Sequence, residues 1–145
     1  MSNDSQTKLA LQSFQVGNVD LAVREDEVLA VIDWREPARL PFAPPTVLGV
    51  VAIQARMLTV LDTAKLLDLE TTARESILAL RGTEQLALTA NVQGTIMIDP
   101  TDIQPASRFE SLSSGMIQKD GRIIHLLATE QLFATALEER RRKRI

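Results

Sequence analysis

Cysteine and tyrosine are absent from this 145-residue chain, tryptophan and histidine occur once each, and aromatic residues make up only 3%. Without cysteine there is no disulfide framework, no thiolate nucleophile and no cysteine-based zinc site, and the composition fits a reducing compartment. The lone histidine, His125, rules out a multi-histidine metal centre and leaves one candidate base for Ser-His-Asp chemistry. So few rings argue against a single-strand nucleic-acid binder, which stacks bases on aromatic side chains. No apolar run approaches the roughly 20 residues of a membrane span. The polar start Met1-Ser2-Asn3-Asp4-Ser5-Gln6 lacks the basic and apolar regions of a signal peptide. A cytoplasmic, non-enzymatic protein without metal or cofactor is expected.

Apolar residues, at 45%, are enough to build a core in a chain of one-domain size. The net charge of −3 hides an asymmetry, because Arg140-Arg141-Arg142-Lys143-Arg144 holds five of the sixteen basic residues. Residues 1–137 carry eleven basic and seventeen acidic side chains, a net of −6. Such a body repels phosphate backbones, so no nucleic-acid partner is expected. The basic tail reads as a solvated helix end that complements the helix dipole.

Short apolar runs separated by turn residues predict a mainly β chain. Leu9–Val16 and Val19–Val23 flank Gly17-Asn18, and Glu25-Asp26-Glu27 opens a short helical or turn-like piece ending near Val31. A loop with Pro37, Pro41, Pro44 and Pro45 follows, where missing N–H groups forbid a central strand. Strands are expected at Gly49–Ile53 and Met57–Leu61, and then a helix capped by Asp62 or Thr63. The next round predicts strands at Ile77–Leu80, Leu86–Thr89 and Thr95–Ile98, then an Asp120-Gly121 hairpin turn returning through Arg122–Leu127. Thr129 is expected to cap a last helix bearing Leu132, Phe133, Ala136 and Leu137 on one face. His125, alternating with Ile124 and Leu126, is expected to face outward or into an interface. Phe42 is expected in the core, whereas Trp34 fits either core or surface.

The two rounds superpose. Shifted by 66, Gly49 falls on Gly115, Arg56 on Arg122, Thr63 on Thr129 and Leu66 on Leu132; shifted by 65, Gly17 falls on Gly82 and Leu21 on Leu86. This predicts two related modules, each too small to bury much alone, sharing an interface. The expected division is a disordered start over 1–7, a first barrel over 8–70, a second over 75–128, a helix over 129–140 and a basic tail over 140–145.

With this order of elements, the chain resembles the CheW-like family of chemotaxis coupling proteins from about Leu9 to Leu137. The resemblance rests on Phe14-Gln15-Val16-Gly17 followed by Leu21-Ala22-Val23, on Asp26-Glu27-Val28, and on Pro41-Phe42-Ala43-Pro44-Pro45-Thr46-Val47-Leu48-Gly49-Val50-Val51 with Val60-Leu61-Asp62. Gly82, Ile103-Gln104-Pro105, Gly115 and Asp120-Gly121-Arg122 continue it. It implies two five-stranded SH3-like β-barrels packed side by side, in an adaptor that does no chemistry. The implied partners are the regulatory domain of a CheA-type histidine kinase, held on the first barrel, and the cytoplasmic tip of a chemoreceptor, which would place the protein at membrane-associated receptor arrays. The contact strip so implied comprises Val28, Ala30, Val31 and Ile32, then Gly49, Val51 and Ile53, then the tip Gln54, Ala55 and Arg56. The chain departs from the family at polar positions: Gln54 replaces the arginine of the tip, Ala30 a glutamate, and Ala90 and Ala128 two aspartates. The alternative is a diverged protein outside the array, acting as a homodimer or as a regulator that holds a small apolar ligand between the barrels.

Overall fold

The computed structural model describes residues 8–71, 73–132 and 134–136. Positive φ at loop residues sets the hairpins. Gly17 (φ 60°) turns β1 (Leu9–Val16) into β2 (Val19–Arg24), and Gln54 and Ala55 (φ 52° and 63°) turn β4 (Val47–Ile53) into β5 (Arg56–Leu61). Asp120 and Gly121 (φ 53° and 76°) turn β8 (Ser113–Lys119) into β9 (Arg122–Leu127). The last two are two-residue turns of the mirror-image type, whose twist matches antiparallel strands. The remaining elements are β3 (Val28–Asp33), α1 (Thr63–Leu67), β6 (Ser76–Leu80) and β7 (Leu86–Ile98). The helical piece expected to reach Val31 stops at Glu27; β-branched Val28, Val31 and Ile32 suit the strand that follows.

Hydrogen bonding makes two five-stranded sheets, β3-β6-β7-β5-β4 and β7-β1-β2-β9-β8. The strands expected separately at Leu86–Thr89 and Thr95–Ile98 are one 13-residue strand, whose first part lies in one sheet and whose second part lies in the other. The halves expected as sequential barrels over 8–70 and 75–128 therefore exchange strands. β1 and β2 join the C-terminal hairpin, while β3, β4 and β5 join β6 and the start of β7. Neither sheet closes through a continuous ladder; each is joined to itself by one bridge, Ala38 to Val50 and Gln104 to Met116.

Strands with unbroken apolar runs explain the exchange. Leu21 and Val23 of β2 enter a large central cluster, while Ala22 between them enters the interior of its own sheet. Leu78 and Leu80 of β6 and Leu86 and Leu88 of β7 likewise face the central cluster, with Ile77, Ala79 and Ala87 facing the other way. Such strands need cover on both faces. Phe14, Leu61 and Leu132 complete the shared core, all at most 1% exposed.

The 66-residue repeat persists in the backbone. Ladder irregularities fall between Val47 and Gly49 and between Ser113 and Gly115, each beside the bridge that closes its sheet. Asp62 N–H donates to the Thr46 carbonyl and Ala128 N–H to that of Leu112, the same pair one repeat later. The helix starts differ. The Asp62 carboxylate accepts from Lys65 N–H and from Arg74, at 3.3 and 3.1 Å, as an N-cap does. Ala128 offers no side-chain cap to the turn at Thr129–Gln131, and Thr129, the expected cap, donates instead to Glu27 Oε2 at 2.9 Å. Phe133, Leu137 and the basic tail lie outside the described residues.

Of the two expected positions for His125, outward or interfacial, the structure takes the second: it is 7% exposed, beneath a residue packed against the core shared by the two sheets. The face opposite Ile124 and Leu126 is covered by Phe109, which meets the imidazole edge-on at 5.1 Å, leaving Nδ1 without a hydrogen-bond partner. Burial pulls the His125 pKa below the ordinary 6.5, nearby Arg108 adds to that, and Asp20 opposes it.

Two outcomes follow. A lowered folded-state pKa means that the unfolded chain takes up a proton first, so the His125 contribution is intact above pH 6.5 and is lost as the pH falls below it. Urea unfolding between pH 7.5 and 5.5 should show stability declining with acid in the wild type, with a flatter profile for His125→Gln. Gly49, at φ 152°, has no room for a side chain, because a Cβ would overlap the Ala38 carbonyl oxygen. Gly49→Ala is expected to lower unfolding stability by about 3 kcal/mol, whereas Gly82→Ala, with nothing within 4 Å, costs clearly less.

Candidate partner-binding surface

Period-two alternation sorts the predicted contact strip into two sets. Val51 and Ile53 are 6% and 4% exposed and pack inside the sheet with Leu58 and Val60. Ala30 and Ile32 pack against the same cluster from β3, and Val28 lies against the central core. Gly49 is buried beneath Ala38 and Pro37. These six set the shape of the strip and offer a partner little side-chain surface. Val31, 40% exposed, Gln54, Ala55 and Arg56 face outward.

The same alternation places two further residues outside. Ala52 lies between Val51 and Ile53 and is exposed, and its cross-strand partner Met57 is 57% exposed. Both were legible once Val51 and Ile53 were assigned inward. Arg35 donates to the Ala52 carbonyl, drawing the segment after β3 along the edge of β4 that β5 leaves open. Alongside it Ala38 exchanges backbone hydrogen bonds with Val50, at 2.8 and 2.9 Å. Trp34 is half-buried against the sheet interior under the Arg74 guanidinium, 5.4 Å from the ring centroid. Phe42, expected in the core, is 90% exposed, at φ 60° in the proline loop. Past Ala38 the loop makes no ladder with a strand, and its positive φ turns the Phe42 side chain outward, so the ring finds no partner inside.

Electrostatically the repeat is broken here. Arg122 donates to both carboxylate oxygens of Asp20, at 3.0 and 2.6 Å, fastening β9 to β2. Its repeat mate Arg56 forms no ion pair among the described residues, and its guanidinium is available to an outside group.

One cavity lies between β1, α1 and β7. Its lining includes Gln15, Asp62, Arg74 and Asn91 around a space of about 20 Å³. That is room for one water and not for an apolar ligand.

The tip itself is under backbone strain, because side-chain-bearing residues in the left-handed region cost about 1 kcal/mol each. Ala55→Gly is expected to raise unfolding stability by roughly 0.5 kcal/mol, the relief of strain being partly offset by unfolded-chain entropy. Ala52→Gly, in extended backbone of the same hairpin, should lower it; denaturant midpoints distinguish the two.

Comparison with known proteins agrees with this architecture. The chain is 29% identical over 140 residues to the chemotaxis protein CheW of Rhizobium meliloti, covering 90% of this chain and 89% of that one. It is 24% identical over 139 residues to a probable chemotaxis protein CheW of Rhizobium etli, covering 89% and 90%. The scaffolding protein TtCheW from Thermoanaerobacter tengcongensis has the same fold, with a TM-score of 0.80 at 17% identity over 86% of this chain and 87% of that one. Residues 11–137 match the CheW-like domain. The chain belongs to the CheW-like domain family and is a CheW-like adaptor of chemotaxis.

Proposed function

We propose that this protein is a non-enzymatic coupling adaptor that holds the regulatory domain of a CheA-type histidine kinase on the outer face of the β4–β5 hairpin and β3, and orients it toward a chemoreceptor tip. The observation that carries the reading is the exposed hairpin end, where Ala52, Gln54, Ala55, Arg56 and Met57 are all presented to solvent by a rigid, fully cored sheet. Functional contacts concentrate on such scaffold-held loops. The mechanism is geometric. An adaptor that favours one kinase–receptor arrangement shifts the population of the active kinase without making or breaking a bond.

Receptor coupling is the part that the substitutions at Gln54 and Ala30 bear on. Gln54 lacks the charge and the bidentate reach of arginine, so this adaptor is proposed to hold the kinase more firmly than the receptor. The alternative of a small apolar ligand between the sheets finds no support in the 20 Å³ cavity, nor in the opening of about 290 Å³ between residues 80–86 and Thr129–Glu130, whose lining includes Arg81, Glu84, Gln85 and Glu130.

The test is binding of the full chain to the regulatory domain of its cognate kinase. Ala52→Asp, which places a charge at the centre of the outer face, should weaken binding at least tenfold, and Asn18→Asp in the exposed β1–β2 turn of the other sheet should not. No wild-type binding at about tens of micromolar would refute the kinase assignment. Gln54→Arg is expected to raise receptor-dependent kinase activity in a reconstituted array.

A further inference from the structure

The proline loop carries an aromatic side chain that the fold does not use. Phe42 is 90% exposed and sits at φ 60°, so the backbone holds it outward in a conformation that costs an L-residue about 1 kcal/mol. Pro41 before it and Pro44 and Pro45 after it restrict the loop, so little freedom is left to lose on docking. Leu40, in the same loop, is 43% exposed.

The charges around this loop differ from those of the body. Residues 37–61 contain Arg39 and Arg56 and no acidic residue, with Arg35 and Glu36 just before, whereas residues 1–137 as a whole stand at −6. Arg35, Arg39 and Arg56 are exposed and form no ion pair among the described residues. The backbone joins them into one surface: Ala38 is bridged to Val50, Arg35 reaches the Ala52 carbonyl, and Ala52 pairs with Met57 beside Arg56. Aromatic and arginine side chains are the types that dominate interface energetics.

We propose that the Arg35–Phe42 loop and the Arg56–Met57 end of the hairpin form one preorganised binding site for an acidic protein face. Phe42 enters an apolar socket of that face with Arg39 beside it, and Arg35 and Arg56, toward the hairpin tip, meet carboxylates further along the same strip. A protein is favoured over an anionic membrane, because a protein face can present its carboxylates to the arginines alone, whereas the charge of a bilayer extends beneath the whole body and meets the net −6 of residues 1–137. The inference deepens the kinase-binding reading by extending its contact surface onto the loop, and its test is separable from that reading.

The first arm uses an acidic amphipathic peptide of glutamate and leucine as a chemical probe of the isolated full chain, read by amide chemical shifts. Shifts should cluster at residues 35–57 and fade between 50 and 500 mM salt, with none from a lysine–leucine peptide. No clustering there, equal response to the basic peptide, or binding of the chain to phosphatidylglycerol vesicles that is lost in Phe42→Ala would overturn the proposal. The second arm measures affinity for the kinase regulatory domain. Phe42→Ala and the pair Arg35→Gln, Arg39→Gln should each weaken binding about tenfold with unfolding stability unchanged. Wild-type binding that both variants retain overturns the loop site, whereas a positive peptide arm without kinase binding keeps the site and overturns the kinase as its occupant.

Discussion

Two-sided burial of a few strands is the constraint from which the rest of the architecture follows. β2, β6 and the first part of β7 are apolar at successive positions, so neither face tolerates water. A half-chain of about 65 residues could cover one face of such a strand but has too little surface to cover both. Exchanging strands between the halves solves this. Each sheet wraps a small interior of its own, and the outer faces of both meet over Phe14, Leu21, Leu61, Leu78, Leu88 and Leu132. Because β7 runs through both sheets, neither can shift without the other, and the proposed contact surface is carried on a body whose two parts are fixed to each other.

The repeat then shows which features the fold requires and which it leaves free. A glycine without room for a Cβ, a ladder irregularity and a single closing bridge recur 66 residues apart, and this identifies Gly49 as an architectural residue. The differences between the halves are equally informative. Asp62 caps its helix and holds Arg74, while Ala128 leaves the matching turn uncapped. Asp120-Gly121 forms its turn with residues suited to positive φ, while Gln54-Ala55 does so under strain. Arg122 is bound to Asp20, while its counterpart Arg56 is free of ion pairs among the described residues. Strain and an unpaired cation thus coincide at one hairpin tip.

Much of this was legible in the sequence, and the failures share a cause. Strand and turn order, the repeat, the need for a shared interface and the Asp62 cap all rest on local chemistry: period-two patterns, glycine and proline placement, and a carboxylate at a helix start. What local chemistry does not encode is the identity of the strand alongside. The exchange between halves, the fusion of Leu86–Thr89 with Thr95–Ile98, and the cover over His125 are decided by partners far away in the chain. Ala90-Asn91-Val92-Gln93-Gly94 contains nothing that forces a turn, and the opposing β1 pairs with Asn91 through Ile98, absorbing Gln93 as a bulge. Phe109 reaches His125 from a loop 16 positions earlier. Phe42 misled in the opposite sense, since hydrophobicity predicts burial only when the backbone can bring the side chain inward.

The contrast between Trp34 and Phe42 bears on how the proposed contact would reach a useful affinity. Trp34, eight residues before Phe42, is drawn into the sheet interior and clamped by Arg74, so its energy stabilises the fold. Phe42 is withheld from that use by its prolines and its positive φ, and what a buried ring would contribute to folding remains available for association. The exposed large apolar side chains are few and separated, so affinity would depend on a small number of anchors rather than on area. An adaptor organised this way gives up some stability in the free chain, in return for a contact already shaped when the partner arrives. That balance suits a component whose proposed task is to set the orientation of its neighbours.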